Sequence, residues 1–187
     1  MHVDDLVEVE RDGPVLDLEV VEALVLAHRP GAEGLPQVLE GLGGDAHAER
    51  AVRSFSLLGE HAAVWLVLGG AGIAVDAPRR GRWRRAVVSV ATAYVANTGL
   101  KVAVRRRRPA LEGLPPLAGT PTGLSFPSAH ATSSFAAARA YSALVPGPPL
   151  YALACALSLS RLYLGVHYPS DSLAGMALGT AVGQLGR

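Results

Sequence analysis

From residue 54 to residue 75 the chain carries a largely apolar run, flanked by Arg53 and Asp76 and interrupted only by Glu60 and His61. About 20 residues at a rise of about 1.5 Å cross the hydrocarbon core of a bilayer, so a run of this length reads as a spanning helix. Similar apolar stretches follow at about 86–104, from 128 to a stop before Pro146-Gly147-Pro148, at about 150–165, and in a short Gly-rich segment at 170–186. The prolines enforce the turn after the third stretch. The last stretch is short for a span and is expected to pack tightly against its neighbours. The chain is therefore expected to be all-α, an integral membrane helical bundle with about five transmembrane helices.

Composition supports that reading. Half of the 187 residues are hydrophobic while aromatics are few, a balance that suits helices held close in lipid through small residues. The net charge of +1 hides an asymmetry: 13 of the 16 acidic residues lie within the first 60 positions and 13 of the 17 basic residues after them. The basic remainder suits phosphate-bearing partners at a membrane surface, whereas nucleic acid is not expected as a partner of a chain with so acidic a head. Residues 1–53 read as an acidic N-terminal extension, an amphipathic surface helix near 15–28 or a partly ordered tail. Residues 54–187 read as the transmembrane domain. The N-terminus is acidic where a cleavable signal would be basic and then apolar. Cys155 is the only cysteine, so no intrachain disulfide forms, and it reads as a small buried hydrophobe.

Three polar clusters fall at the ends of these helices, and ionisable groups at such positions are functional candidates. Alternating helix directions put all three on one membrane face. In the first, KVAVRRRRP, Lys101 lies in the last helical turn and Arg108 at an extended step before Pro109. Lys101 is the only lysine among 17 basic residues. An ammonium and a planar guanidinium at fixed separation can neutralise a phosphate dianion. Arg105, Arg106 and Arg107 read as a headgroup-facing patch.

In the second cluster, FPSAH, Ser128 sits at a helix N-cap, where free backbone N–H groups suit an anion, with Ala129 and His130 in the first turn. Taken alone, a histidine at this position is more often an interfacial or capping residue. The third cluster, SRLYLGVHYPSD, places Arg161 near a helix end, His167 just after it and Asp171 beyond the turn at Pro169. Asp171 can accept from one ring nitrogen of His167 and leave the other as a nucleophile. By itself a His and Asp pair in a turn is more often a structural hydrogen bond.

Together the clusters resemble the signature K(x6)RP, PSGH and SR(x5)H(x3)D of the type 2 phosphatidic acid phosphatase superfamily, with every spacing met and Ala129 in place of Gly. The resemblance covers about residues 54–187. The family core has six helices, against about five counted here. The resemblance implies that His167 attacks phosphorus, that Asp171 orients it, and that His130 protonates the leaving alkoxide. Lys101, Arg108, Ser128, Ala129 and Arg161 would then bind the phosphoryl group. No metal and no cofactor is expected, because three nearby cations repel a divalent ion.

The expected substrate is a lipid phosphate monoester or diphosphate, and membrane lipids are the expected surroundings. A polyprenyl-linked substrate is favoured, because the compact, arginine-rich, N-terminally extended form is similar to actinobacterial members acting on decaprenyl-phosphoryl-pentose phosphates. Undecaprenyl diphosphate, phosphatidylglycerol phosphate and phosphatidate are the alternatives. A catalytically silent lipid-binding protein and a soluble vanadium haloperoxidase are the competing classes. The five arginines between Arg79 and Arg85 read as a cytoplasmic loop. That orientation makes the protein a multi-pass cell-membrane protein with its site on the extracytoplasmic face.

Overall fold

The computed structural model describes residues 46–109 and 116–187. The expected amphipathic helix near 15–28, and all of the extension before residue 46, lie outside these. The described residues form six α-helices and no strand: α1 (Ala46–Ser56), α2 (Ala63–Val75), α3 (Arg80–Val104), α4 (Ala129–Tyr141), α5 (Gly147–Tyr163) and α6 (Pro169–Gly183). The described part of the chain is thus all-helical, as its apolar runs imply.

The first apolar run is not one smooth helix. Between α1 and α2 lies a 3-10 segment, Leu57–Ala62, in which Glu60 is extended (ψ 131°) and His61 and Ala62 are left-handed (φ 49° and 60°). Left-handed geometry costs a residue with a Cβ about 1–2 kcal/mol, so the break persists because its surroundings hold it. The expected arginine loop is also absent. Ala77–Arg79 is a 3-10 turn, and α3 begins at Arg80 rather than near residue 86. Arginine is a good helix former, so the run continues the helix instead of breaking it. Arg79 and Arg82 donate to the carbonyls of Leu144 and Ala143, just beyond the end of α4.

Short α4 is the hub of the bundle. Alanine and serine dominate it and nearly every residue is buried, because small side chains let α3, α5 and α6 approach its backbone. Gly175, Gly179 and Gly183 form the row of α6 that faces α4, and a Cβ at Gly179 would strike the Thr132 carbonyl. The bulkier core lies at the other end of α4. Trp65 donates to Ser134 Oγ at 2.9 Å, and the Tyr141 hydroxyl to the Trp65 carbonyl at 2.9 Å.

Two helical stretches, Ala46–Val75 and Ala77–Val104, are long and apolar enough to cross a membrane. Val67, Val75, Val88 and Val95 on them expose most of their surface, as side chains facing lipid do. Helices α4, α5 and α6 are shorter, at 13, 17 and 15 residues. Cys155 is half-buried rather than buried: it lies on α5, an outer helix of the bundle.

Candidate active site

The three polar clusters meet in one cavity of about 150 Å³, lined by Lys101, Arg108, Ala129, His130, Arg161 and His167, with Glu60, His61, Tyr94 and Thr98 on a further wall.

His167 follows α5 in the tight turn before α6, where Gly165 takes the left-handed conformation (φ 67°). Pro169 opens α6, and Asp171 two residues on is fully buried. One Asp171 oxygen, Oδ2, accepts from the Tyr168 backbone N–H at 2.8 Å and lies 3.5 Å from His167 Nδ1. That distance is ion-pair range and long for an N–H···O bond, so Nδ1 makes no true hydrogen bond. Contacts of this kind commonly tighten when substrate binds. The other oxygen, Oδ1, accepts from Arg106 at 3.0 Å.

Arg108 fixes which ring nitrogen of His167 carries the lone pair. Its Nη1 donates to the Val166 carbonyl at 2.7 Å and lies 3.2 Å from His167 Nε2. A guanidinium can only donate, so Nε2 presents its lone pair and Nδ1 carries the hydrogen, facing Asp171. Burial first, then the nearby Arg108 and Lys101 charges, lower the His167 pKa to about 4, against the opposing pull of Asp171. The ring is therefore neutral at physiological pH, with its lone pair in the cavity. Burial and the neighbouring Arg161 charge lower Arg108 to about 10, which still leaves it charged.

Lys101 Nζ lies within 3.0–3.3 Å of the Leu124, Ser125 and Pro127 carbonyls. It ties the loop before α4 to the end of α3 while its charge borders the cavity. Ser128 caps α4: its Oγ accepts from Ala131 N at 3.5 Å, and its own N–H donates to the Asp171 carbonyl at 3.0 Å. It is fully buried and does not line the cavity, whereas Ala129 beside it does. Arg161 is buried and donates to Ser56 Oγ at 2.8 Å. His130 Nε2 lies 3.0 Å from the Ser56 carbonyl. Because a carbonyl only accepts, that nitrogen bears hydrogen.

Several residues here escaped the sequence reading. Arg106, expected in a headgroup patch, instead bonds Asp171 and Ser170 and stacks on Tyr168 at 4.0 Å. Ser56 holds both Arg161 and His130 from a distant helix. Asn97, buried within α3, donates to the Pro127 carbonyl and to Thr132 Oγ1, fixing the start of α4. No spacing rule marks Ser56 or Asn97, and Arg106 stands in a run of four arginines.

A buried neutral imidazole backed by a carboxylate, a second imidazole and three cations around a small cavity define a hydrolase of phosphate esters set in a membrane helical bundle. The PAP2 superfamily model matches residues 82–186, and the chain belongs to that superfamily. It is 39% identical over 156 residues to the decaprenylphosphoryl-5-phosphoribose phosphatase of Mycolicibacterium smegmatis, covering 82% of this chain and 80% of the relative. Against the Mycobacterium tuberculosis protein of the same name identity is 42% over 134 residues, 71% of this chain and 75% of the relative. In fold it is similar to the transmembrane PAP2 type phosphatidylglycerolphosphate phosphatase of Bacillus subtilis, with TM-score 0.65, 21% identity and 90% of each chain covered. Aquifex aeolicus LpxE gives TM-score 0.67 and 21% identity over 100% of this chain and 98% of that one. The protein is a membrane lipid phosphatase.

Proposed function

We propose that the protein removes the terminal phosphate of a polyprenyl-linked sugar phosphate through a phosphohistidine formed on His167. The observation that carries this is the convergence of His167 Nε2, His130 and the Arg108, Arg161 and Lys101 cations on one cavity. The His167 Nε2 lone pair attacks phosphorus and the bond from phosphorus to the leaving oxygen breaks. His130 gives that oxygen its proton, so the lipid alcohol departs neutral. Neutral His130 then takes a proton from water as the water oxygen attacks phosphorus. The P–N bond breaks, freeing inorganic phosphate and restoring both rings. Arg108 exchanges its contact with Nε2 for the phosphoryl oxygens, and Arg161, Lys101 and the backbone N–H groups at the start of α4 stabilise their charge. Asp171 holds the His167 tautomer.

The substrate assignment rests on the relatives named for decaprenylphosphoryl-5-phosphoribose, similar over most of both chains. In this reading residues 54–187 form the catalytic domain, which crosses the membrane about five times. The Arg79–Arg85 end is cytoplasmic and the cavity opens outside. The test is phosphate release from a panel of polyprenyl and glycerolipid phosphates in detergent with chelator present. Wild type is expected to prefer the polyprenyl sugar phosphate, and His167→Ala to lose about 10⁴-fold or more in rate. Activity abolished by chelator, or kept within tenfold by His167→Ala, would falsify the mechanism.

A further inference from the structure

Among the described residues lining the cavity Glu60 is the only acid, and a carboxylate in a pocket built for a phosphate dianion repels the substrate. Its presence calls for a role that outweighs the repulsion. Its position is the product of the break in the first apolar run. Glu60 is extended, and the left-handed His61 and Ala62 that follow turn the chain back into α2. The break is braced from α3, where the Tyr94 hydroxyl bonds His61 Nδ1 at 2.8 Å and the rings meet edge to face. His61 Nε2 lies 3.9 Å from Glu60 Oε1. The other oxygen, Oε2, lies 3.9 Å from His130 Nε2. On the near side, Gly59 lets the chain touch the His130 ring, since a Cβ there would sit 2.5 Å from Cδ2.

We propose that Glu60 is a positioning residue for His130: its carboxylate lies at the Nε2 edge of the ring and stabilises the imidazolium that supplies the leaving oxygen with its proton. The inference rests on the reading of His130 as the general acid. The positive charges of Arg161 from α5, of Arg108 from the loop after α3 and of Lys101 from the end of α3 border the same cavity and oppose a cationic ring, and the His61 and His167 rings line it beside them. The Ser56 carbonyl and Glu60 are the groups on the favouring side. Both lie at Nε2, so the hydrogen on Nε2 stays in place while the Nδ1 proton passes to the leaving alkoxide. The ring is neutral afterwards, Nδ1 recovers a proton from the attacking water, and Glu60 itself neither gains nor loses one. The site thus holds two histidine–carboxylate pairs, His167–Asp171 for attack and His130–Glu60 for departure.

A general acid matters in proportion to the basicity of the leaving group, and that dependence is the test. Full-length wild type, Glu60→Gln, Glu60→Asp and His130→Ala are assayed on hexadecyl phosphate, whose alkoxide needs a proton, and on p-nitrophenyl phosphate, whose phenolate departs without one. Glu60→Gln is expected to lose about tenfold on the alkyl ester and less than twofold on the aryl ester, with Glu60→Asp recovering part of the loss. His130→Ala should show the same bias more strongly. Equal losses of Glu60→Gln on both esters, or none on the alkyl ester, overturn the proposal while leaving the His130 reading intact. A His130→Ala loss without leaving-group bias overturns both, and no phosphate release by wild type overturns the function itself.

Discussion

The two imidazoles of the cavity are held by opposite strategies. His167 and Asp171 are four residues apart in one turn, with Pro169 starting the helix that carries the carboxylate. His130 opens α4 and finds its partners 74 and 70 positions earlier, in Ser56 and Glu60. The His167 pair is placed by local backbone geometry, and the His130 group exists only once the broken first run has docked against α4. Even the local pair leans on a distant group, since Arg106 bonds the Asp171 oxygen that His167 does not face.

That dependence is the first place to strain the comparison. Arg106→Ala leaves a buried carboxylate short of a charged hydrogen bond worth about 1.5–3 kcal/mol, and kcat should fall about 10–100-fold with little change in KM. Steady-state kinetics on the preferred lipid phosphate measure it, and an unchanged kcat would mean that the turn alone holds Asp171. On the other side, Gly59→Ala drives a methyl group into the His130 ring. It should cost about 1–3 kcal/mol of stability in detergent thermal unfolding and lower activity alongside, whereas a silent Gly59→Ala would show that the broken run yields without moving the ring. The smallest effect expected is a proton not taken up. His167 is lowered from an ordinary 6.5 to about 4, so its ring stays neutral as pH falls from 7 to 5 and becomes cationic only near pH 4. Histidine-resolved NMR in detergent reads this directly, and protonation near pH 6 would show a ring more solvated than the structure has it.

The same contrast governs how much of the site could be read in advance. Lys101, Arg108, Ala129, His130, Arg161 and His167 stand at fixed spacings around helix ends, and all six line the cavity. Ser128 is legible as an N-cap, and its hydroxyl caps α4 without lining the cavity. Arg106 is hidden in its sequence by three identical neighbours, and only the fold distinguishes the arginine that turns inward to Asp171. Glu60 and His61 were visible as polar interruptions of an apolar run, but not as a change of direction. Two consecutive left-handed residues carrying side chains have no local signal, because tertiary contacts impose them.

The amino-acid sequence by itself determined the helical class, the greasy surface and the grouping of the three polar clusters. Apolar run length, proline stops and helix-end spacing act within a few turns of chain, where backbone sterics and solvent decide the outcome. The tertiary structure decided which arginine braces Asp171, that the first run breaks at Glu60, and that Ser56 and Glu60 meet His130. Those choices depend on close approach between segments some 70 residues apart, and only the packing of small residues around α4 brings such segments together.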